Sequence, residues 1–269
     1  LGVRMKIKPI FDAETGGLPM RVAAFMSGSG TNIVKLIQRE KELTKETGSS
    51  PFHVVFIFSD RSDGKCRGEE IAYESGIPYF SYDIRTFYRL RGLKKSIADP
   101  QGLSVRKEFD SLAAKLIKAF DIDIIALGGY MSYTTLAGCI NVHPADLSIR
   151  TPHGRRKYVG DHAVLDAIAA GETALRSSTL LTDTGVDTGP LLMVSEPLPV
   201  QLPEPLEQLL GDKDRLWKIA QEHQERLKEI GDWKIFPSTI EMIARGLFGI
   251  DRQSRVYVDG TPVPGGYRE

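Results

Sequence analysis

Asn141 and His143 stand two residues apart in the run "CINVHPADL". On an extended segment that spacing puts both side chains on one face. Pro144 then stops regular pairing. An amide and an imidazole at a strand end suit a carbonyl substrate: the amide donates to a developing oxyanion, and the imidazole moves protons near neutral pH. The glycine-bearing loop "TDTGVDTGP" adds two carboxylates, Asp183 and Asp187. Asp187 is expected to orient His143 and to raise its pKa. Taken singly, each residue also has a structural role, as a turn former or a satisfied strand-end histidine. Their joint placement at predicted strand ends favours chemistry.

A second stretch, "SGSGTN" at residues 27–32, lies between the apolar runs "RVAAFM" and "IVKLIQ". Strand, glycine turn and helix start are the reading. The first amides of such a helix face outward, and with the helix dipole they favour an anion. Glycine permits close approach, and Thr31 or Asn32 can cap the helix. A purely structural turn remains open. A dinucleotide is a poorer match, because Ile33 stands where GxGxxG needs its third glycine, although Asp60 closes the second strand where a ribose would be held. A single phosphate is the lighter demand.

The elements that must position these groups alternate. Runs at 21–27, 53–59, 77–82, 123–129, 139–143, 178–183 and 191–198 read as buried strands. Residues 31–45, 65–75, 105–119 and 161–170 carry helical spacing. Such alternation predicts an α/β fold: a doubly wound, mostly parallel sheet with a Rossmann-like N-terminal half. Ligands of such sheets bind beyond the carboxyl ends of the strands, where both stretches fall. Residues 1–19 read as an N-terminal extension and 20–269 as one domain, with insertions near 84–104, 148–158 and 200–236. The second insertion holds the basic run Arg150–Lys157, whose expected state is a solvated, mobile loop able to touch an anion.

The 269 residues are 41% hydrophobic, enough for one large α/β domain or two small ones. Lys+Arg and Asp+Glu both number 35, so no global field argues for nucleic acid. The two cysteines, Cys66 and Cys139, sit in no metal-binding spacing; a reducing compartment and no structural zinc are expected. No apolar run approaches the roughly 18 residues of a membrane span, and the N-terminus does not read as a secretory signal.

With these motifs placed, the resemblance is specific. "RVAAFMSGSGTNI", "GGYM", "NVHPADL", "GDHAVLDAIAAGE", "TDTGVDTGPLL" and "YVDGTPVPGGY" occur in the order of the glycinamide ribonucleotide formyltransferase family, within the folate-dependent formyltransferase superfamily. The match covers most of residues 20–267. The resemblance implies the formyltransferase fold and a catalytic trio of Asn141, His143 and Asp187. It implies that Gly30, Thr31 and Asn32 bind the acceptor's phosphate. It places Met131, Ser132, Tyr133, Thr134 and Asp183 at the folate, Arg106 at the folate's glutamate tail, and His162 and Glu222 at the acceptor. The implied reaction passes a formyl group from 10-formyltetrahydrofolate to the amine of 5-phosphoribosylglycinamide in de novo purine synthesis. Protonated His143 then helps Asn141 stabilise the oxyanion. The implied setting is cytoplasmic, with small-molecule substrates, no metal, no nucleic acid or membrane partner, and a monomer or homodimer.

The sequence departs from the family pattern after "HPADL", at Ser132 (an arginine in relatives) and around Glu222. The acceptor side is therefore the more open. A formyltransferase for an amino sugar nucleotide or another phosphorylated amine is the nearest alternative. A nicotinamide-dependent reductase and a non-catalytic binding module are alternatives from other classes. Relatives that hydrolyse formyltetrahydrofolate or formylate methionyl-tRNA carry extra domains that this reading does not find.

Overall fold

A computed structural model describes residues 7–268. It divides into two compact units, Phe11–Ile140 and a second made of Asn141 onward with the residues up to Ile10. Residues 1–6 of the expected extension lie outside the described residues. The remainder begins with β1 (Lys8–Pro9), which pairs with a C-terminal strand of the second unit.

In Phe11–Ile140, α1 (Ala13–Gly16) precedes β2 (Met20–Met26), α2 (Thr31–Thr47) and β3 (Phe52–Ser59). Then follow α3 (Gly68–Ser75), β4 (Tyr79–Ser81), α4 (Ile84–Arg89), α5 (Pro100–Ala119) and β5 (Ile124–Leu127). The strands lie side by side in the order β4-β3-β2-β5, all parallel, with Met20 beside Phe52 and Phe25 beside Leu127. Nearly every residue of β2 and β3 is buried, as parallel strands covered on both faces must be. Phe25, Phe56, Phe58, Phe109 and Tyr130 build an aromatic core on one face. Burying such side chains stabilises by about 1.5–3 kcal/mol each.

The 84–104 insertion folds onto this unit. Asp83 caps α4, Asp99 caps α5 with Pro100 at its first turn, and the buried Tyr88 hydroxyl donates to the Gly102 carbonyl at 2.8 Å. The helix predicted from 105 thus starts at 100. The turn at Pro100-Gln101-Gly102 is its first turn, a place where proline is favoured.

The second unit carries β6 (Cys139–His143, which begins at the unit boundary), α6 (Ala163–Ala169), β7 (Ala174–Leu175), β8 (Ser178–Leu181), β9 (Leu191–Val194) and β10 (Leu198–Pro199). β6, β8 and β9 are neighbours in that order, and β8–β9 is antiparallel. Next come α7 (Leu206–Leu209), α8 (Lys213–Leu227), a π turn at Lys228–Asp232 and α9 (Trp233–Ala244). β11 (Phe248–Ile250), β12 (Val256–Val258) and β13 (Thr261–Pro262) form a small antiparallel sheet with β1. α8 lays Leu216, Ile219, Ala220 and Leu227 into a core shared with α6. The fold class is the expected one, α/β with mostly parallel strands. Among the described residues no helix is long and apolar enough to cross a membrane.

Candidate active site

In the second unit β6 ends on His143, which is 5% exposed, while Asn141 is half-buried. The His143 Nδ1 lies 3.4 Å from Asp187 Oδ2, and its Nε2 lies 3.2 Å from the Tyr158 carbonyl oxygen. Both ring nitrogens face acceptors, so a proton arriving on the ring finds a partner on either side. Burial nevertheless dominates and pushes the imidazole below the ordinary histidine range; Asp187 and the Tyr158 carbonyl oppose it, with a smaller lowering by Arg156 and a smaller raising by Asp161. The protonated His143 that the resemblance implies is thus corrected, while the raising effect of Asp187 is present. Asp187 does raise the pKa, but desolvation of the buried ring lowers it by more. At neutral pH the imidazole is a neutral base able to take a proton, rather than a resting cation. The acidic limb of the rate profile is expected below the ordinary value of about 6.5. Asp187→Asn removes a raising charge and moves the limb further toward acid. Initial rates between pH 5 and 9 check both, and a limb above the ordinary histidine range contradicts them.

Asp187 adopts a left-handed backbone, φ 52°. For a residue other than glycine that costs of order 1 kcal/mol and persists only when its surroundings hold it. Its Oδ2 accepts the Gly160 N–H at 2.9 Å, and its carbonyl accepts the Arg156 guanidinium. Arg156 also donates to the Gly189 carbonyl at 2.6 Å. The basic run, though mostly exposed, is therefore more than an irregular loop. Arg150 and Arg156 form an antiparallel bridge, with Thr151 N–H on Arg155 O and Lys157 N–H on Ile149 O, which makes a hairpin. Asp183 serves the same turn: its Oδ1 accepts from Gly185 N–H at 2.9 Å and from the Thr188 hydroxyl at 2.6 Å.

His162 and Glu222 are exposed. The His162 ring meets the indole of Trp217, on α8, edge to face at 5.5 Å. The next residue after Glu222, His223, is structural: buried, it accepts from Gln201 N–H at 3.1 Å.

In Phe11–Ile140 the turn after β2 runs Ser27 to Gly30, and Gly30 is the N-cap of α2 with no side-chain cap bond. Thr31 and Asn32 are inside the helix rather than capping it. Gly30 has φ 68°, a conformation that favours glycine, and a Cβ there would have to displace the flexible ends of Met26 and Ile71, at 2.4 and 2.7 Å. Without a side-chain cap the first-turn amides await acceptors. Asn32 is 8% exposed, and its Oδ1 is buried with no hydrogen-bond partner.

The absent third glycine has a structural answer. Ile33 packs where a Cβ on Gly128 would come within 2.3 Å of its Cδ1. Close helix–strand packing is obtained with the glycine on the strand side. Asp60, the candidate ribose acid of a dinucleotide site, is 2% exposed. Its carboxylate accepts from Ser27 Oγ at 2.6 Å and from Ser132 Oγ, while Ser27 Oγ accepts the Met131 N–H at 2.9 Å. Asp60 ties together the ends of β2 and β3 and the segment after β5. This counts against the reductase reading.

Met131 is 66% exposed, whereas Ser132 and Thr134 are buried and Tyr133 is half-buried. Asp110 holds this segment, accepting from Thr135 N–H at 2.6 Å, Thr135 Oγ1 at 2.8 Å and Thr134 Oγ1 at 3.3 Å. Arg106, expected at a ligand tail, is 2% exposed; it ion-pairs with Asp110 at 3.2 Å and donates to the Tyr130 hydroxyl at 3.2 Å. Its side chain faces these partners rather than solvent. Arg106 and Asp110 are one helical turn apart, which is the signal that would have paired them. Gly160, Tyr158 and Trp217 were not singled out by sequence reasoning, and Arg156 was noted only as part of the basic run.

A doubly wound α/β fold, with a strand-end Asn-x-His and a loop aspartate against the imidazole, has the donors and the base that an acyl transfer uses. Residues 20–211 match the formyl transferase family model, and the chain belongs to that family. It is 28% identical over 189 residues to a phosphoribosylglycinamide formyltransferase of Mycobacterium tuberculosis, covering 68% of this chain and 72% of that protein. It is 24% identical over 245 residues to the bovine trifunctional purine biosynthetic protein adenosine-3, covering 88% of this chain but only 19% of that protein's length. The structure of glycinamide ribonucleotide transformylase 1 from Geobacillus kaustophilus is similar with a TM-score of 0.54 at 25% identity, covering 84% and 98% of the two chains. The Coxiella burnetii phosphoribosylglycinamide formyltransferase shares the fold with a TM-score of 0.62 at 22% identity, covering 93% and 99%.

Proposed function

We propose that this chain transfers the formyl group of 10-formyltetrahydrofolate to the primary amine of 5-phosphoribosylglycinamide, a step of purine synthesis, in the cytoplasm. The observation that carries the reading is the buried His143 against Asp187, two residues from Asn141, in a chain of the formyl transferase family. The segment Met131–Thr134 and Asp183 are assigned to the folate. The uncapped amides after Gly30 are assigned to the acceptor's phosphate, and a sugar hydroxyl would satisfy the orphaned Asn32 Oδ1. His162 and Glu222 are assigned to the rest of the acceptor.

The neutral amine attacks the formyl carbon, and the carbonyl oxygen becomes an oxyanion. The Asn141 amide donates to that oxygen; one such donor is worth about 2.7–4 kcal/mol. The attacking nitrogen then carries an extra proton. Neutral His143 takes it, and Asp187 and the Tyr158 carbonyl stabilise the imidazolium. Breaking the bond from the formyl carbon to the folate nitrogen needs a proton on that nitrogen, which the imidazolium returns directly or through water. The formamide and tetrahydrofolate leave, and His143 is neutral again. The protein's other contribution is to hold amine and formyl carbon in register.

A second reading keeps the donor and changes the acceptor to another phosphorylated amine, such as an amino sugar nucleotide. The exposed indole of Trp217 beside His162 favours it as the runner-up, since a planar base or sugar face can stack there. Incubation with 10-formyltetrahydrofolate and each amine, followed by mass detection of the formylated product, separates the two. The expected result is kcat/KM for 5-phosphoribosylglycinamide about 100-fold above that for amino sugar nucleotides, a ratio that correctly paired polar groups can supply. The opposite order transfers the assignment to the second reading.

A further inference from the structure

We propose that Arg156 is a positioning residue for the reaction, fastening the turn that presents Asp187 to His143. The proposal rests on the preceding reading only for the identity of the reaction.

Arg156 lies in the hairpin that spans residues 149–157. Its strands pair at Arg150 and Arg156, and the tip closes with Gly154 N–H on Thr151 O at 2.9 Å. Arg150 Nη1 donates to the Gly154 carbonyl at 2.8 Å and braces the tip. Arg156 therefore leaves from a short, self-supporting element. Its guanidinium grips two carbonyls two residues apart, those of Asp187 and Gly189. A rigid planar fork can serve both at once, whereas a single ammonium on a flexible stem serves them poorly.

The turn needs such a hold at that point. Its first half is fixed internally by Asp183 on Gly185 and Thr188. Its second half carries the left-handed Asp187. The carboxylate is steadied by the Gly160 N–H, on the segment that follows the hairpin. Arg156 holds the backbone of the same residue. The hairpin and the segment that follows it thus hold, respectively, the main chain and the side chain of the aspartate.

The arginine is also a charge. The groups that act on the His143 ring are the Asp187 and Asp161 carboxylates, the Tyr158 carbonyl and the Arg156 cation, and of these only Arg156 disfavours the imidazolium. A carboxylate brought close enough to orient the imidazole would tend to leave it protonated. The neighbouring cation adds to burial, the larger effect, in keeping the ring a neutral base. Position and charge are separable by substitution, because lysine retains the charge and loses the fork.

The test compares wild type with Arg156→Ala, Arg156→Lys and, as a control on the same hairpin, Arg155→Ala. Amide hydrogen exchange over residues 183–189, the NMR titration midpoint of His143 and formyl-transfer kinetics are measured on each. In Arg156→Ala the amides of the turn exchange about tenfold faster or more. The His143 midpoint rises, because the cation that opposes the imidazolium is gone. kcat falls by roughly 10–100-fold while KM for both substrates stays within about threefold, as for a misplaced rather than missing group. Arg156→Lys keeps the midpoint near wild type and shows the faster exchange and lower kcat. Arg155→Ala matches wild type throughout.

Unchanged exchange and unchanged kcat in Arg156→Ala overturn the proposal, as does an equal effect of Arg155→Ala. If Arg156→Ala does not fold, Arg156→Lys decides: wild-type exchange in the turn overturns the proposal. Exchange and titration need no substrate. Should wild type fail to formylate 5-phosphoribosylglycinamide, the functional reading fails, while these two measurements still support or overturn the role of Arg156.

Discussion

His143→Asn lowers kcat by about 10²–10⁴, the range for a lost general acid–base group, with the protein still folded. The substitution keeps a polar side chain where the imidazole is 5% exposed, so the Tyr158 carbonyl and the Asp187 carboxylate face an amide rather than a void. The amide cannot accept the proton that the attacking amine must lose. Asn141→Ala, which removes the oxyanion donor, is expected to cost about 10²–10³ in kcat. The two groups act on one intermediate, so the double variant falls well short of the product of the single effects. Single-turnover rates with thermal melts on all three variants check this. His143→Asn retaining more than a tenth of wild-type kcat, with an unchanged melt, would falsify the assignment.

How much of this was legible in the sequence differs by residue. β6 was found at its true bounds, because five apolar-patterned residues end on a proline that breaks pairing. The site pair Asn141 and His143 followed from its period of two. Ile33 in place of a third glycine read as a defect, since its counterpart Gly128 is remote in sequence and only the packed structure brings the two together. The hairpin from Arg150 to Lys157 has no alternation of apolar and polar residues to betray its strands. Its order comes from backbone pairing and from Arg156 reaching a turn far along the chain. The charge state of His143 could not be read either, because an adjacent carboxylate is visible as a motif and desolvation is not. Arg106 shows the same limit: its motif was visible in the sequence, whereas its burial against Asp110 and Tyr130 was not.

That environment carries the largest expected loss of stability. Arg106→Ala is expected to destabilise by about 3–5 kcal/mol, because it strands a carboxylate rather than merely removing a contact. Arg106 and Asp110 are each 2% exposed, and Asp110 has no route to solvent for its charge. The remaining donors to Asp110, from Thr134 and Thr135, are neutral and cannot balance it. Arg106→Met combined with Asp110→Asn removes both charges and keeps an acceptor for the Thr135 amide, so more than half of the loss should return. Urea unfolding of the single and double variants measures the coupling as a cycle. A cost below about 1 kcal/mol for Arg106→Ala, the worth of an exposed pair, contradicts a buried structural role. The same variant tests the link to function, since Asp110 holds Thr134 and Thr135, at the end of the segment Met131–Thr134 assigned to the folate. With that anchor disturbed, KM for 10-formyltetrahydrofolate rises more than KM for the amine. An arginine that contacted the tail directly would raise the same KM without lowering stability, and the unfolding curve tells the two roles apart.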